Sequence, residues 1–253
     1  MTTFDIKKDS FTCHQDNDMV IITIFKGAKK ILTTVDSKED LMSIIETIKG
    51  SHEIKGLAII YSDDYPGNTE YKRFLSASLE ENLEYDQKPY TVRYKNAIIQ
   101  FFEFVRSCPI PIVGGMNGEI GPDSFGLNLA FDLRLATENA TFFNPNLQLG
   151  FPPSALLSFY LQQSLGSPRA TELLLTKTEI SPQEALSLGL ISQVVADKNL
   201  ESSCLAKLRE LSRIPKHTLV ETRSILQPSI DVIKKHLDEG FEGSLRCLYK
   251  MKS

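Results

Sequence analysis

Cys108-Pro109-Ile110-Pro111-Ile112-Val113-Gly114-Gly115-Met116-Asn117-Gly118 reads as an apolar strand that runs into a turn. Gly121-Pro122-Asp123-Ser124-Phe125-Gly126 follows and leads into a short helix over Ser124 to Phe131. Leu133-Arg134-Leu135-Ala136 is then β-rich again. Two strand–turn–helix units therefore meet in the middle of the chain, and alternation of this kind predicts a layered α/β core.

Working outward, Met19-Val20-Ile21-Ile22-Thr23-Ile24-Phe25 is a strand, and Leu41, Ile44, Ile45 and Ile48 follow at helical spacing. Ile54 to Tyr61 is the next strand, closed by the turn-rich stretch Ser62-Asp63-Asp64-Tyr65-Pro66-Gly67-Asn68. Tyr90 to Arg106 is a long helix with Ala97, Ile98, Phe101, Phe102 and Val105 on its buried side. Downstream, Ala155 to Leu165 is apolar and ends at Gly166, where Ser167-Pro168 opens another helix. Ser181-Pro182-Gln183-Glu184 is a capping box with proline at the first helical position. After the short strand Leu190–Val195 the pattern stays helical and polar to the end. Residues 1–195 thus form an α/β core, and residues 196–253 a C-terminal helical region.

Twenty-eight Lys and Arg against 32 Asp and Glu leave a net charge of −4, which excludes a broad nucleic-acid surface. The 253 residues, 42% hydrophobic and 24% charged, suffice for a sizeable core and exclude a low-complexity or disulfide scaffold. Met1 to Thr12 has no apolar signal region, and no apolar run approaches membrane-spanning length. The widely separated Cys13, Cys108, Cys204 and Cys247 predict reduced thiols in a cytoplasmic protein. His14, His52, His217 and His236 show no metal-ligand spacing, and neither a phosphate-binding loop nor a G-x-S-x-G elbow occurs. No metal or separate cofactor is expected.

Three further segments complete a recognisable order. They are Phe131-Asp132-Leu133-Arg134-Leu135-Ala136-Thr137-Glu138-Asn139-Ala140-Thr141-Phe142, Asn144-Pro145-Asn146-Leu147-Gln148-Leu149-Gly150, and Ala185-Leu186-Ser187-Leu188-Gly189-Leu190-Ile191. In that order and spacing, with the strand into Asn117-Gly118, they resemble the crotonase (enoyl-CoA hydratase/isomerase) superfamily. The resemblance implies a spiral of strand–strand–helix units, a homotrimer or hexamer, and an acyl-CoA or acyl-carrier-protein thioester as substrate. Coenzyme A would enter only as part of that substrate. It also implies an oxyanion hole of two backbone N–H groups, which falls here near Asn68 or Thr69 and at Asp123.

The chain departs from that pattern at several places. Pro122-Asp123-Ser124 replaces a run of glycines, and Pro122 has no N–H to donate. Asp123 either caps the following helix, as Ser124 could, or acts as a general acid or base. The resemblance places the two hydratase glutamates at Gly126 and Asn146, and neither residue can exchange a proton; Asn146 is still a catalytic candidate that could bind water or a substrate carbonyl, or else makes a plain loop hydrogen bond. Tyr65 and Tyr71 are candidate pocket residues, and Lys26, Lys29 and Lys30 candidate contacts for an anionic nucleotide end. Glu119 reads as a surface residue at a turn, and Asp132 as structural. The chain stops short of the terminal helix that the resemblance places over the acyl site, which predicts an open site or one completed by another subunit.

The resemblance implies an enzyme on an acyl thioester, with isomerisation, decarboxylation or thioester cleavage through a stabilised oxyanion all compatible; Gly126 and Asn146 argue against ordinary hydration. The other reading is a catalytically degenerate protein that binds acyl-CoA or assembles with an active subunit.

Overall fold

The computed structural model describes residues 4–26, 35–80 and 89–252. Its main sheet has seven strands: β1 (Ile6–Lys7), β2 (Phe11–Asp16), β3 (Met19–Ile24), β4 (Gly56–Tyr61), β5 (Ile112–Met116), β7 (Leu133–Thr137) and β10 (Gln193–Val195), in that spatial order. The first two pair antiparallel at one edge, as do β2 and β3; from β3 onward every pairing is parallel. Helices cover both faces of the parallel part, which explains why its strands read as unbroken apolar runs. Val20, Ile22, Leu57, Ile59 and Ile112 enter the larger core with α1 (Val35–Gly50) and α3 (Pro89–Ser107). Ile21, Ala58, Ile60, Val113 and Leu135 alternate with them and face Leu200, Cys204, Leu205 and Leu208 of α7 (Leu200–Leu211).

A second, smaller sheet joins β6 (Glu119–Ile120), β8 (Thr141–Phe143) and β9 (Glu179–Ile180). Pro66 extends it through a parallel bridge to Glu119. Each unit therefore places one strand in the large sheet, a short extended piece in the small one, and then a helix. β4, Pro66 and α2 (Gly67–Glu80) form one such unit; β5, β6 and α4 (Pro122–Asn128) form the next. β7 and β8 then lead to α5 (Ala155–Thr176). Successive units step across the sheet in sequence order, giving the expected α/β spiral.

The helical punctuation is physical. Gly166 takes φ +73° inside α5 and kinks it where the sequence predicts two helices. Ser181 accepts the N–H of Glu184 and so caps α6 (Pro182–Ser187). Residues 197–252 are helical apart from short connections and end in α8 (Lys216–Leu226) and α9 (Ile230–Lys252). Arg223 of α8 is 3% exposed and holds Asp132 with Nε and Nη2, at 2.8 and 2.5 Å. Its guanidinium also donates to the carbonyls of Cys108 and Ile110, while Asp132 accepts the Ile112 N–H at 2.7 Å. The structural role expected of Asp132 is clear; its buried arginine partner carries no local signal in a polar helix.

The C-terminal helix α9 packs over the candidate cleft. Leu237, Gly240, Phe241 and Ser244 of α9 line the cleft described below. Leu248 packs with Tyr71, Leu75 and Phe151, and Met251 lies beside Gly150.

Candidate functional site

The helices α2 and α4 begin side by side, because the short strands that precede them are paired. Contact at their starts is close: a methyl carbon on Gly121 would lie 2.8 Å from the Gly67 carbonyl oxygen. Between them is a hollow of about 20 Å³, lined by Tyr65, Gly67, Glu70, Tyr71, Gly121, Asp123 and Ser124. That volume suits one oxygen atom or one water. In α4 the first intrahelical bond runs from Phe125 N–H to Gly121 C=O, so the N–H groups of Asp123 and Ser124 precede the helical ladder.

Tyr71 and Asp123 also line a second space, a cleft of about 50 Å³ beneath α9. Its walls are apolar on one side, with Phe74, Leu75, Leu156, Leu237 and Phe241. Asp123, Asn146 and Ser154 bring the polar groups together. Ser154 donates to Asp123 Oδ1 at 2.6 Å, and Asn146 Nδ2 donates to Tyr71 Oη (2.9 Å) and the Pro152 carbonyl (2.7 Å). Asn146 Oδ1 is buried and accepts no hydrogen bond among the described residues. A larger cavity, about 430 Å³, lies between α5 and α8 and shares none of these residues.

Behind the hollow, Tyr65 Oη and Ser124 Oγ are 2.9 Å apart, and Asn128 donates to Tyr61 Oη and to the Ser124 carbonyl. Burial pushes the Tyr65 phenol well above its usual range, and Tyr61, Glu70 and Asp123 add to the shift. Tyr65 therefore stays protonated at neutral pH and acts as a neutral hydrogen-bonding group.

The sequence-based assignments fare unevenly. Asp123 is not a helix cap: Gly121 holds that position, and the carboxylate turns to Ser154. Tyr65, Tyr71 and Asn146 reach the hollow or the cleft, while Lys26 is exposed beyond β3 and lines neither. Lys29 and Lys30 lie outside the described residues. Asn68 is buried in the first turn of α2 and lines neither space.

Thr69 requires correction as an oxyanion donor. Its N–H donates to Glu119 Oε2 at 3.0 Å, and its hydroxyl reaches the same oxygen at 3.0 Å. Gly67 is the member of that segment that borders the hollow. Glu119 is correspondingly half-buried and bonded rather than a solvated turn residue. Gly126 is where α4 and α5 touch. A methyl carbon there would lie 2.8 Å from both Leu156 Cβ and the Leu157 nitrogen, so a glutamate side chain has no room.

Among the described residues, no group of three His, Cys, Asp or Glu could hold a metal ion, and no helix is long and apolar enough to cross a membrane.

The profile of the enoyl-CoA hydratase/isomerase family matches residues 74–252. Enoyl-CoA delta isomerase 2 of Rattus norvegicus is 23% identical over 206 residues, 81% of this chain and 51% of that protein. A 4-chlorobenzoyl coenzyme A dehalogenase of an Arthrobacter species is 30% identical over 124 residues, 49% of this chain and 44% of its own length. The chain thus spans about half the length of these relatives. Among solved structures, an enoyl-CoA hydratase of Bacillus halodurans superposes with a TM-score of 0.76 at 19% identity, over 95% of both chains. The spiral of units and the profile match over most of the chain lead to one conclusion: the chain belongs to the enoyl-CoA hydratase/isomerase family of the crotonase superfamily.

Proposed function

We propose that this protein binds an acyl-CoA thioester and moves a double bond along its acyl chain. The thioester carbonyl oxygen would occupy the hollow between α2 and α4, at the N–H of Asp123 in the first turn of α4. The acyl carbons would enter the cleft beneath α9. One observation carries the reading: Asp123 lines both spaces, and Ser154 donates to its Oδ1 at 2.6 Å.

Isomerisation suits a single carboxylate. Asp123 takes a proton from the carbon next to the thioester, and the hollow stabilises the enolate oxygen. The protonated carboxyl of Asp123 then returns the proton two carbons further along. The proton is conserved and no other reactant is consumed. Hydration instead needs one group to activate water and another to protonate carbon, and Gly126 and Asn146 provide neither. Coenzyme A supplies the anionic handle as part of the substrate, and no separate cofactor enters. A carrier protein could deliver the same thioester. The reading also includes self-assembly into a trimer or hexamer, which light scattering would measure.

A cleft of about 50 Å³ is far below the usual size of a ligand pocket, so the acyl chain must displace part of α9 to enter. The same narrowness favours the second reading, a thioester-binding protein without turnover. Calorimetric titration with a panel of enoyl-CoA thioesters, followed by mass spectrometry and NMR of the mixtures, separates the two. Binding with a shifted double bond supports isomerisation, and binding without change supports the second reading. Loss of carbon dioxide or free coenzyme A would instead indicate decarboxylation or thioester hydrolysis. No binding contradicts both readings.

A further inference from the structure

Tyr65 stands where the chain leaves β4 and turns toward α2. Its N–H donates to the Ser62 carbonyl at 3.2 Å, closing the turn, and its ring packs on Tyr61 with 4.6 Å between centroids. The side chain is buried, and two contacts set its hydroxyl end beside the hollow between α2 and α4. A methyl carbon on Gly67 would collide with Tyr65 Cε1 and lie 3.0 Å from Cζ, the ring carbon that bears the hydroxyl. Ser124, whose Oγ is 2.9 Å from Tyr65 Oη, lines the same hollow as Gly67 and Tyr65.

That hydroxyl belongs to a buried cluster with more protons than internal contacts to use them. Asn128 Nδ2 donates to Tyr61 Oη at 3.2 Å and to the Ser124 carbonyl at 2.7 Å. A carbonyl only accepts, so the second bond fixes which end of the amide meets Tyr61. Tyr61 also hydrogen-bonds the Ser124 side chain, which in turn meets Tyr65. The three hydroxyl protons of Tyr61, Ser124 and Tyr65 thus share two hydroxyl contacts. At least one proton is left with no acceptor among the described residues, a costly state for a buried group. Tyr61 does not line the hollow, whereas Ser124 and Tyr65 do. Protons aligned from Tyr61 to Ser124 to Tyr65 carry the surplus to that space, and bonds in such a chain strengthen one another.

We infer that Tyr65 is a catalytic residue whose hydroxyl donates a hydrogen bond to the thioester oxygen in the hollow. The inference deepens the thioester reading above and rests on it. The phenol adds a side-chain donor to the Asp123 N–H, and its bond tightens as the oxygen gains charge in the enolate. No proton leaves the phenol; Asp123 alone exchanges a proton with carbon.

The test is calorimetric titration with butyryl-CoA and with S-butyl-CoA, a thioether that lacks the carbonyl oxygen. Infrared spectroscopy of bound butyryl-CoA, labelled with carbon-13 at the carbonyl, accompanies it. Tyr65→Phe keeps the ring against Tyr61 and removes only the hydroxyl. It should lower the preference for thioester over thioether about fivefold, the worth of one neutral hydrogen bond, and leave thioether affinity unchanged. The labelled carbonyl band should lie lower on the wild type than on Tyr65→Phe, because a donated hydrogen bond weakens the C=O bond. Ser124→Ala leaves Tyr65 its proton and should keep the preference. Replacing Tyr65 by 3-fluorotyrosine makes the hydroxyl a stronger donor and should move the band lower still, an arm that stands even if Tyr65→Phe does not fold. A Tyr65→Phe protein that keeps the wild-type preference or the wild-type band overturns the inference, as does an unmoved band with 3-fluorotyrosine. Loss of the preference in Ser124→Ala alone also overturns it and makes Ser124 the donor. Equal wild-type affinity for the two ligands overturns it while leaving coenzyme A binding intact. If the wild type binds neither ligand, the thioester reading falls and this inference with it.

Discussion

The Ser154 hydroxyl donates to Oδ1 of Asp123 at 2.6 Å, joining the first turn of α4 to the residue that precedes α5. A carboxylate held in this way presents a defined face to the cleft. Ser154→Ala removes that constraint and one charge-assisted bond. Proton exchange into a bound acyl-CoA should fall about tenfold, with coenzyme A affinity little changed. Parallel exchange and binding measurements check this; an unchanged exchange rate would show that Ser154 does not assist Asp123.

Gly126 tests why the hydratase acid is absent. Its helix packs so closely on Leu156 and Leu157 that one added methyl must push α4 from α5. Gly126→Ala is expected to cost about 1–3 kcal/mol in urea denaturation, typical of overpacking. Gly126→Glu should be less stable still and should not hydrate crotonyl-CoA. A stable Gly126→Glu variant with hydratase activity would contradict this packing.

The pair Arg223–Asp132 ties α8 to the loop before β5, with both side chains largely buried. Arg223→Met leaves Asp132 without its cation and the Cys108 and Ile110 carbonyls without their donor. A loss of about 3–5 kcal/mol is expected, as for a broken buried pair. A shift in the urea midpoint at constant slope would confirm it.

Cys204 predicts a pH dependence. Burial, reinforced by Glu201, pushes its thiol up to about 12 from an ordinary 9.0. Below the ordinary value both folded and unfolded thiols are neutral, and the full contribution to stability is present. Between the two values the unfolded thiol ionises while the folded one stays neutral. Stability then falls with rising pH, by about 1.4 kcal/mol per unit in the steepest part. Urea melts of wild type and Cys204→Ala across alkaline pH check this: the wild type should lose stability more steeply, and equal slopes would contradict the contribution of Cys204. At neutral pH, iodoacetamide should label the half-exposed Cys247 before Cys204.

What the sequence discloses depends on how local the cause is. The Gly166 break and the Ser181 cap need only neighbouring residues, and both stand where the sequence places them. Strands β3, β4, β5 and β7 announce themselves as apolar runs because both of their faces are buried. Gly67 to Asn68, by contrast, reads as a loop because Asp63 to Gly67 is rich in turn residues. The structure starts α2 there, held by a carboxylate fifty residues away. A buried arginine, a half-buried glutamate and a helix folded back over its own site are products of tertiary contact. Composition and periodicity do not register them. Asp123 was legible as an anomaly within the family pattern; its partner Ser154 was not.

The central claim is that Asp123 moves a proton along a bound acyl thioester. The direct measurement is NMR of a 3-enoyl-CoA incubated in deuterium oxide with wild-type protein and with Asp123→Asn. The account predicts conversion to the 2-enoyl isomer, with any solvent exchange entering as deuterium at the second or fourth carbon. Asp123→Asn should slow it at least about a hundredfold, within the usual range for loss of a general base, while binding coenzyme A thioesters normally. Equal conversion by Asp123→Asn, or none by a wild-type protein shown to bind the thioester, would contradict it.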